Sequence, residues 1–297
     1  MGYVRMSGEQ SIELGGVSET ALIPLWGRVQ AGLVDDCAVV DDSGSRLLCE
    51  LDYDFSHLKD FSAKPSGRLL TLALESRTRE CDWQIRSFLL GHEHGTVVNV
   101  GAGLDDPFER VDNGMATWYD IDSEEIVDLR RRAMGSAHSP RVHEIIGSVL
   151  DPDVLAKIPA SPEGVLFVIQ GVLMYFDQAE VALLISSISK RFGCEGVSVQ
   201  MVFDSLSTTG GRFAAGAIAR SGMQDAQIRW TLSDPRSLER MPALPRLAES
   251  YPMFSKTYIC PAWGRGLCMA ARLSDRVGAY RMNRVILPLP HPRHIHA

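Results

Sequence analysis

After Gly95 the chain alternates short apolar runs with longer stretches in which apolar positions recur every three or four residues. "TVVNV" (Thr96 to Val100), "ATWYDID", "EIIGSVLD", "GVLFVIQG" and "VSVQMVFD" each have the length and β-branched content of a buried strand. Between them, "SEEIVDLRRRAM", with Ser123 as its N-cap, and "QAEVALLISSISKRF" have helical spacing. Strands alternating with helices predict an α/β fold with a doubly wound, mostly parallel sheet. Two later segments, "KTYICPAWGRGLCMAARL" and "GAYRMNRVILPL", are expected to add strands.

Before Gly95 the pattern is helical. "ETALIPLWGRVQAGLV" predicts a helix beginning near Pro24. "RLLTLALESRTRECDWQIRSFLLGH" predicts a long one, with Leu69, Leu72, Leu74, Ile85, Phe88 and Leu89 as its buried stripe and Gly91 as its stop. The chain is thus expected to divide into a helical N-terminal cap, residues 1–92, and an α/β core with C-terminal substrate-side elements, residues 93–297.

Composition narrows the partners. With 297 residues, 45% hydrophobic and 23% charged, the chain has an ordinary globular balance. Its net charge of −7 speaks against nucleic acid. The six cysteines (Cys37, Cys49, Cys81, Cys194, Cys260, Cys268) form no CxxC pair and read as reduced thiols rather than a metal site or disulfide framework. "MGYVRMSGEQSIELGG" lacks the apolar core of a signal peptide, and "GVLFVIQGVLMYF" is too short to span a bilayer and carries Gln170. A cytoplasmic protein acting on a small molecule, with no membrane or metal, is the expectation. The histidines, including those of the tail "PLPHPRHIHA", show no metal spacing.

The candidate chemistry lies in "VVNVGAGLDDPF". Glycines after a parallel strand let a ligand approach the backbone. A dinucleotide fingerprint needs G-x-G-x-x-G, and no third glycine follows Gly101-Ala102-Gly103. Asp105 and Asp106 place negative charge where a pyrophosphate would lie. Such a turn suits S-adenosylmethionine, which has no phosphate and carries an ammonium and a sulfonium. Asp122, about 20 residues beyond the turn, has the spacing of an acid that binds a ribose diol, with Asp120 as a near competitor.

These segments resemble a known family. In order, "VSETALIPLWGR", "LDYDFS", "SRTRECDWQIRSFL", "VVNVGAGLD", "FERVDN", "WYDID", "GSVLDP" and "GVLMYF" are similar to the leucine carboxyl methyltransferases, and more closely to their bacterial branch of tetracenomycin-type polyketide O-methyltransferases. The resemblance implies a class I S-adenosylmethionine-dependent methyltransferase fold with a helical N-terminal addition. It implies that Arg77 pairs with the cofactor's carboxylate, that Gly101, Ala102 and Gly103 line its methionine and ribose, and that Asp122 holds the ribose diol. Leu150 and Asp151 would meet the adenine, Asp105 is the acid that follows the glycine turn, and Tyr175 would face the substrate. Gln170 departs from the family pattern, which has an acid there near the cofactor's ammonium; weaker cofactor binding is the expected consequence. The second acid of "LDDPF" departs too.

A carboxylate acceptor needs no general base, whereas a phenol near pKa 10 benefits from one. The absence of a recognisable histidine motif leans toward carboxylate methylation, and no catalytic residue is assigned. Two other readings stay open. A nicotinamide-dependent oxidoreductase has "GAGLDD" against it; a non-catalytic binding or regulatory protein has Gln170 in its favour.

Overall fold

The computed structural model describes residues 2–6, 12–14, 20–35, 38–134, 139–220 and 227–288. Cys37, His138 and the three tail histidines lie outside them. The N-terminal part begins with a small antiparallel sheet not expected from the sequence: β1 (Gly2–Met6) pairs with β2 (Ile12–Leu14) and with β3 (Leu51–Asp52). Among the described residues it is accompanied by the helices α1 (Leu22–Gly32), α2 (Asp42–Glu50), α3 (Ser56–Ser62) and α4 (Pro65–Leu89).

The rest of the chain builds β4 (Thr96–Val100), α5 (Pro107–Val111), β5 (Thr117–Asp122), α6 (Glu124–Met134), β6 (Val142–Ile146), α7 (Pro152–Ala156), β7 (Val165–Ile169), α8 (Gln178–Gly193) and β8 (Val199–Leu206). It ends in α9 (Thr208–Arg220), β9 (Arg246–Pro252), α10 (Arg265–Arg276) and β10 (Tyr280–Leu287). The seven-stranded sheet runs β6-β5-β4-β7-β8-β10-β9, with the first five strands parallel and β10 antiparallel to both its neighbours.

Every residue of β4 and of β7 is buried, which is why these strands read as continuous apolar runs. Alternate side chains serve opposite faces. Val98, Val100, Phe167 and Ile169 pack with Leu184, Ile188 and Phe192 of α8. Val97, Leu166 and Val168 pack with Leu72, Ile85 and Phe88 of α4. Leu74, also on α4, joins Leu22 and Leu25 of α1 in a third cluster. α4 lies wholly within residues 1–92 yet joins both parts, with one face in the sheet core and another against the N-terminal helices. Among the described residues no helix is long and apolar enough to cross a membrane.

Three sequence expectations shift. The strand placed at "EIIGSVLD" ends at Ile146, because Gly147, at φ +140°, turns its N–H back to the Asp122 carbonyl. "KTYICPAWGRGLCMAARL" forms no strand; Gly264 ends a short 3₁₀ turn and α10 follows, its buried Ala271 flanked by half-buried Leu267, Cys268 and Ala270 at helical spacing. β9 and α9 were not expected from the sequence, since β9 is mostly half-buried and α9 is rich in glycine and alanine.

Arg130 of α6 ties this helix to the sheet. Its guanidinium donates to Asp120 Oδ2 (2.7 Å), to the Asp105 carbonyl (2.6 Å) and to the Gly103 carbonyl (3.1 Å). Arg130→Met strands the buried Asp120 carboxylate and is expected to cost about 3–5 kcal/mol. Arg131→Met removes only partly exposed pairs with Glu144 and Asp128, and is expected to cost less than about 1 kcal/mol. Urea denaturation of both variants checks the contrast.

Candidate active site

A cavity of about 720 Å³ opens beyond the C-terminal ends of β4, β5 and β7, walled on its other sides by α1, α4, α9 and α10. Its polar end is the glycine turn. Gly101 (φ +62°) and Gly103 (φ +55°) adopt the left-handed backbone that side chains disfavour. Gly101 N–H and Ala102 N–H donate to the Ile121 carbonyl at 2.8 and 3.3 Å, which pins the turn to the end of β5.

Asp122 completes that end. Its Oδ2 accepts from Gly103 N–H and its Oδ1 from Ser123 N–H, both at 2.7 Å. Burial pushes its carboxyl up, and the two backbone donors oppose that shift. Each oxygen keeps a lone pair for a further donor, so this cavity-lining carboxylate can accept from two neighbouring hydroxyls. Asp120, the competitor, is turned away toward Arg130 and Asn99 Nδ2.

The two acids of "LDDPF" have different roles. Asp106 stands where a dinucleotide fingerprint has its third glycine, and its carboxylate accepts from Glu109 N–H as the N-cap of α5. The helix end that would receive a pyrophosphate is thereby capped by the chain itself. Asp106 is absent from the cavity wall, so the expected double negative charge reduces to Asp105. That residue is itself matched: Arg110 donates to it at 2.7 Å and Arg28 lies 3.5 Å away. Burial works to raise its carboxyl, but Arg110, Arg28 and Arg130 together hold it well below the usual aspartate range.

Gln170, at the end of β7, lines the cavity and points its amide at Asp105 Oδ2, 3.5 Å away. An acid at this position would face that carboxylate instead, a local reason for the amide. Arg77 lines the cavity from α4, buried, with its Nε lacking a hydrogen-bond partner. Tyr175 lines it as well, its hydroxyl bonded to Thr20 and its pKa raised by burial. Leu150 and Asp151 do not line the cavity. Asp151 caps α7 by accepting from Asp153 N–H at 2.9 Å, and Leu150 packs on the sheet core. Trp26, Tyr53 and Phe55 stack among themselves, outside the cavity wall. Sequence reasoning gave no role to Arg28, Arg110, Asp204 or Tyr280, although the motifs "VSETALIPLWGR" and "FERVDN" contain the first two.

The other end of the cavity is apolar, formed by Leu69 and Ala73 of α4, Phe213 and Ala214 of α9, and Leu273 and Val277 at the end of α10. The cavity thus joins a polar cradle with an oxygen-rich wall to an apolar chamber.

No protein-family model matches the chain. It is similar to the tetracenomycin polyketide synthesis O-methyltransferase TcmP of Streptomyces glaucescens, 28% identical over 257 residues that cover 85% of this chain and 89% of the relative. It is also similar to the S-adenosyl-L-methionine-dependent methyltransferase dpfgK of Gibberella zeae, 22% identical over 241 residues, covering 77% of this chain and 79% of that protein. A DUF574 family protein from Streptomyces avermitilis superposes with a TM-score of 0.59 at 10% identity, over 89% of this chain and 97% of that one. A candidate methyltransferase from Thermobifida fusca gives 0.54 at 16% identity, over 86% and 96%. The chain has the class I S-adenosylmethionine-dependent methyltransferase fold. Its resemblance to the tetracenomycin-type branch extends over most of its length. The methyltransferase fold binds ligands beyond the carboxyl ends of its parallel strands, where this cavity lies.

Asp105 provides a test of how the cavity wall is held. A carboxyl with a depressed pKa stabilises the fold above the ordinary aspartate range and loses that contribution as the pH falls. Asp105→Asn is expected to cost about 3–5 kcal/mol at neutral pH and clearly less at about pH 3. Urea denaturation at the two pH values measures the difference; an equal loss at both contradicts the assignment.

Proposed function

We propose that this protein is an S-adenosylmethionine-dependent O-methyltransferase whose acceptor is a small, largely apolar natural product. The single observation that carries this reading is the cavity with two unlike ends, one a glycine cradle beside Asp122 and Arg77, the other an apolar chamber. The name of the Streptomyces glaucescens relative supports oxygen as the acceptor atom and a polyketide-like compound as the substrate.

The residues fit the cofactor. Arg77 brings a buried guanidinium with an orphaned Nε to the wall, suited to a carboxylate. Asp122 has free lone pairs for vicinal hydroxyls, and Gly101–Gly103 offers bare backbone. Asp105 and Gln170, both on the cavity wall, supply oxygens for an ammonium. Asp106, by capping α5, disfavours a nicotinamide dinucleotide. We retain Leu150 and Asp151 as adenine-side residues on the strength of the motif alone.

S-adenosylmethionine, when bound, supplies an electrophilic methyl group. The chain's own contribution is to hold the acceptor oxygen in line and to keep water out, and proximity of this kind lowers a barrier by several kcal/mol or more. Phe213, Leu273 and Val277 line the cavity but are half or more exposed, so they are apolar surface that a bound acceptor would cover. No lining side chain is a histidine, and the Tyr280 hydroxyl already donates to Asp204. A carboxylate acceptor requires no base, so a methyl ester is the product this cavity favours.

Calorimetric titration with S-adenosylmethionine, S-adenosylhomocysteine and NADH tests the reading. Micromolar binding of both adenosyl ligands and none of NADH is expected. Asp122→Asn is expected to weaken adenosyl binding by about ten- to a hundredfold, the worth of a charged hydrogen bond. Turnover with labelled methyl donor and a panel of aromatic carboxylic acids, set against their methyl esters, follows. Binding without turnover of any acceptor would favour a non-catalytic protein, and NADH binding would overturn the assignment.

A further inference from the structure

Behind Arg77, four elements meet in one buried knot. Asp204, on β8, is 3% exposed and does not line the cavity. Its Oδ1 accepts from Gly171 N–H at 2.6 Å, and its Oδ2 accepts from the Tyr280 hydroxyl of β10 at 2.9 Å. The same Oδ2 lies 3.9 Å from Arg77 Nη1. The Arg77 guanidinium and the Tyr280 hydroxyl thus face the same carboxylate oxygen of Asp204. Gly171, at φ +71°, has its bare Cα against the guanidinium; a Cβ there would overlap Nη1. The arginine is thus confined from one side by backbone and held from another by a tyrosine–aspartate pair.

This arrangement is expensive unless it has a use. A buried carboxylate must recover its lost hydration from partners, and a well-packed apolar set is often as stable. Asp204 spends its oxygens on Gly171 and Tyr280, which border Arg77, and on Arg77 itself. Two of those groups, Tyr280 and Gly171, line the cavity beside it. No ligand in the cavity reaches Asp204 itself, so its effect on one is indirect.

We propose that Asp204 and Tyr280 are positioning residues that aim the Arg77 guanidinium at the carboxylate of the cofactor's amino-acid portion. The inference rests on reading the cavity as an S-adenosylmethionine site. The direct ion pair, at 3.9 Å, is too long for a hydrogen bond, so Asp204 acts on the guanidinium through its charge while the tyrosine hydroxyl fixes the carboxylate that does so. Arg77 reaches the cavity from the N-terminal helices, while Asp204 and Tyr280 belong to the sheet. The knot therefore registers one part of the protein on the other at the point where the ligand's charge falls.

Two ligands separate positioning from general support of the fold. S-adenosylhomocysteine carries the amino-acid carboxylate, and 5′-methylthioadenosine lacks it while keeping adenosine and sulfur. Tyr280→Phe retains the ring and deletes the hydroxyl. Calorimetry is expected to show S-adenosylhomocysteine binding weakened about tenfold, the worth of one well-placed hydrogen bond. Binding of 5′-methylthioadenosine is expected to stay within about twofold, below the loss of one such bond. Arg77→Met should show the same selectivity more strongly, and adding Tyr280→Phe to it should cost nothing further, because both act through one contact. Asp204→Asn, which keeps an acceptor for Gly171 N–H, gives an independent reading should Tyr280→Phe fold poorly; circular dichroism monitors both. Equal weakening of the two ligands, no weakening of either, or additive losses with Arg77→Met would overturn the proposal and leave the cofactor assignment standing. Failure of the unaltered protein to bind either ligand would overturn both.

Discussion

The Asp105 carboxylate is the point on which the site depends. It gathers Arg110 from α5 at 2.7 Å, Arg28 from α1 at 3.5 Å and the Gln170 amide at the end of β7. Arg110 reaches on to Asp82 of α4 at 2.8 and 3.0 Å, and Arg28 to Asp41, the N-cap of α2, at 2.6 Å. Charges this deeply buried are tolerable only when each is matched in good geometry, so the network admits few alternative arrangements. Arg28 also donates to the Leu104 carbonyl at 2.7 Å, within the loop that follows the glycines. The N-terminal helices are therefore registered on the glycine turn through directional bonds, which apolar packing alone would leave free to slide. The two aspartates sharing Arg110 respond oppositely. Burial pushes Asp82 up, whereas Asp105 is held down because Arg28 and Arg130 act on it as well.

Legibility in the sequence followed the range of the interaction. β4 and β7 were readable because burial on both faces favours a mostly apolar run, a local property; β5 and β8 are also largely buried but carry polar Asp120 and Gln200. Asp122 was readable because a turn after one strand and an acid at the end of the next have a fixed spacing. Arg77 was not readable from its surroundings, since "SRTRE" looks like any solvated helix; only the resemblance singled it out, and the structure then shows it buried while Arg79 pairs with Glu75 on the same helix. The partners of the charge network are 63 or more positions apart in the cases of Arg28 with Asp105's loop and Arg46 with Glu109, and no periodicity announces such pairs. Asp106 shows the limit of reading charge from letters. The sequence places it in the ligand's path, but the geometry of an N-cap turns its carboxylate onto its own helix.

α9, not legible in the sequence, forms part of the apolar end of the cavity, and the two facts have one cause. α9 presents Gly210, Ala214 and Ala217 to the cavity, with Phe213 at its rim. Small side chains leave the space that a substrate fills, and the same small side chains erase the apolar stripe by which a helix is recognised. Gly210 adds a second constraint. A Cβ there would run into the Ala279 backbone, so α9 starts pressed against the residue that precedes β10. Tyr280 is the next residue along, and its hydroxyl belongs to the knot behind Arg77. A wall of the cavity's apolar end and the tyrosine that bonds Asp204 are therefore built on one short stretch of backbone, Ala279–Tyr280. A substitution that shifts α9 to admit a larger acceptor also strains that tyrosine. In the proposed site, acceptor range would thus be coupled to cofactor geometry at that strand end, whereas Leu273 and Val277, at the exposed end of α10, stand on a separate helix.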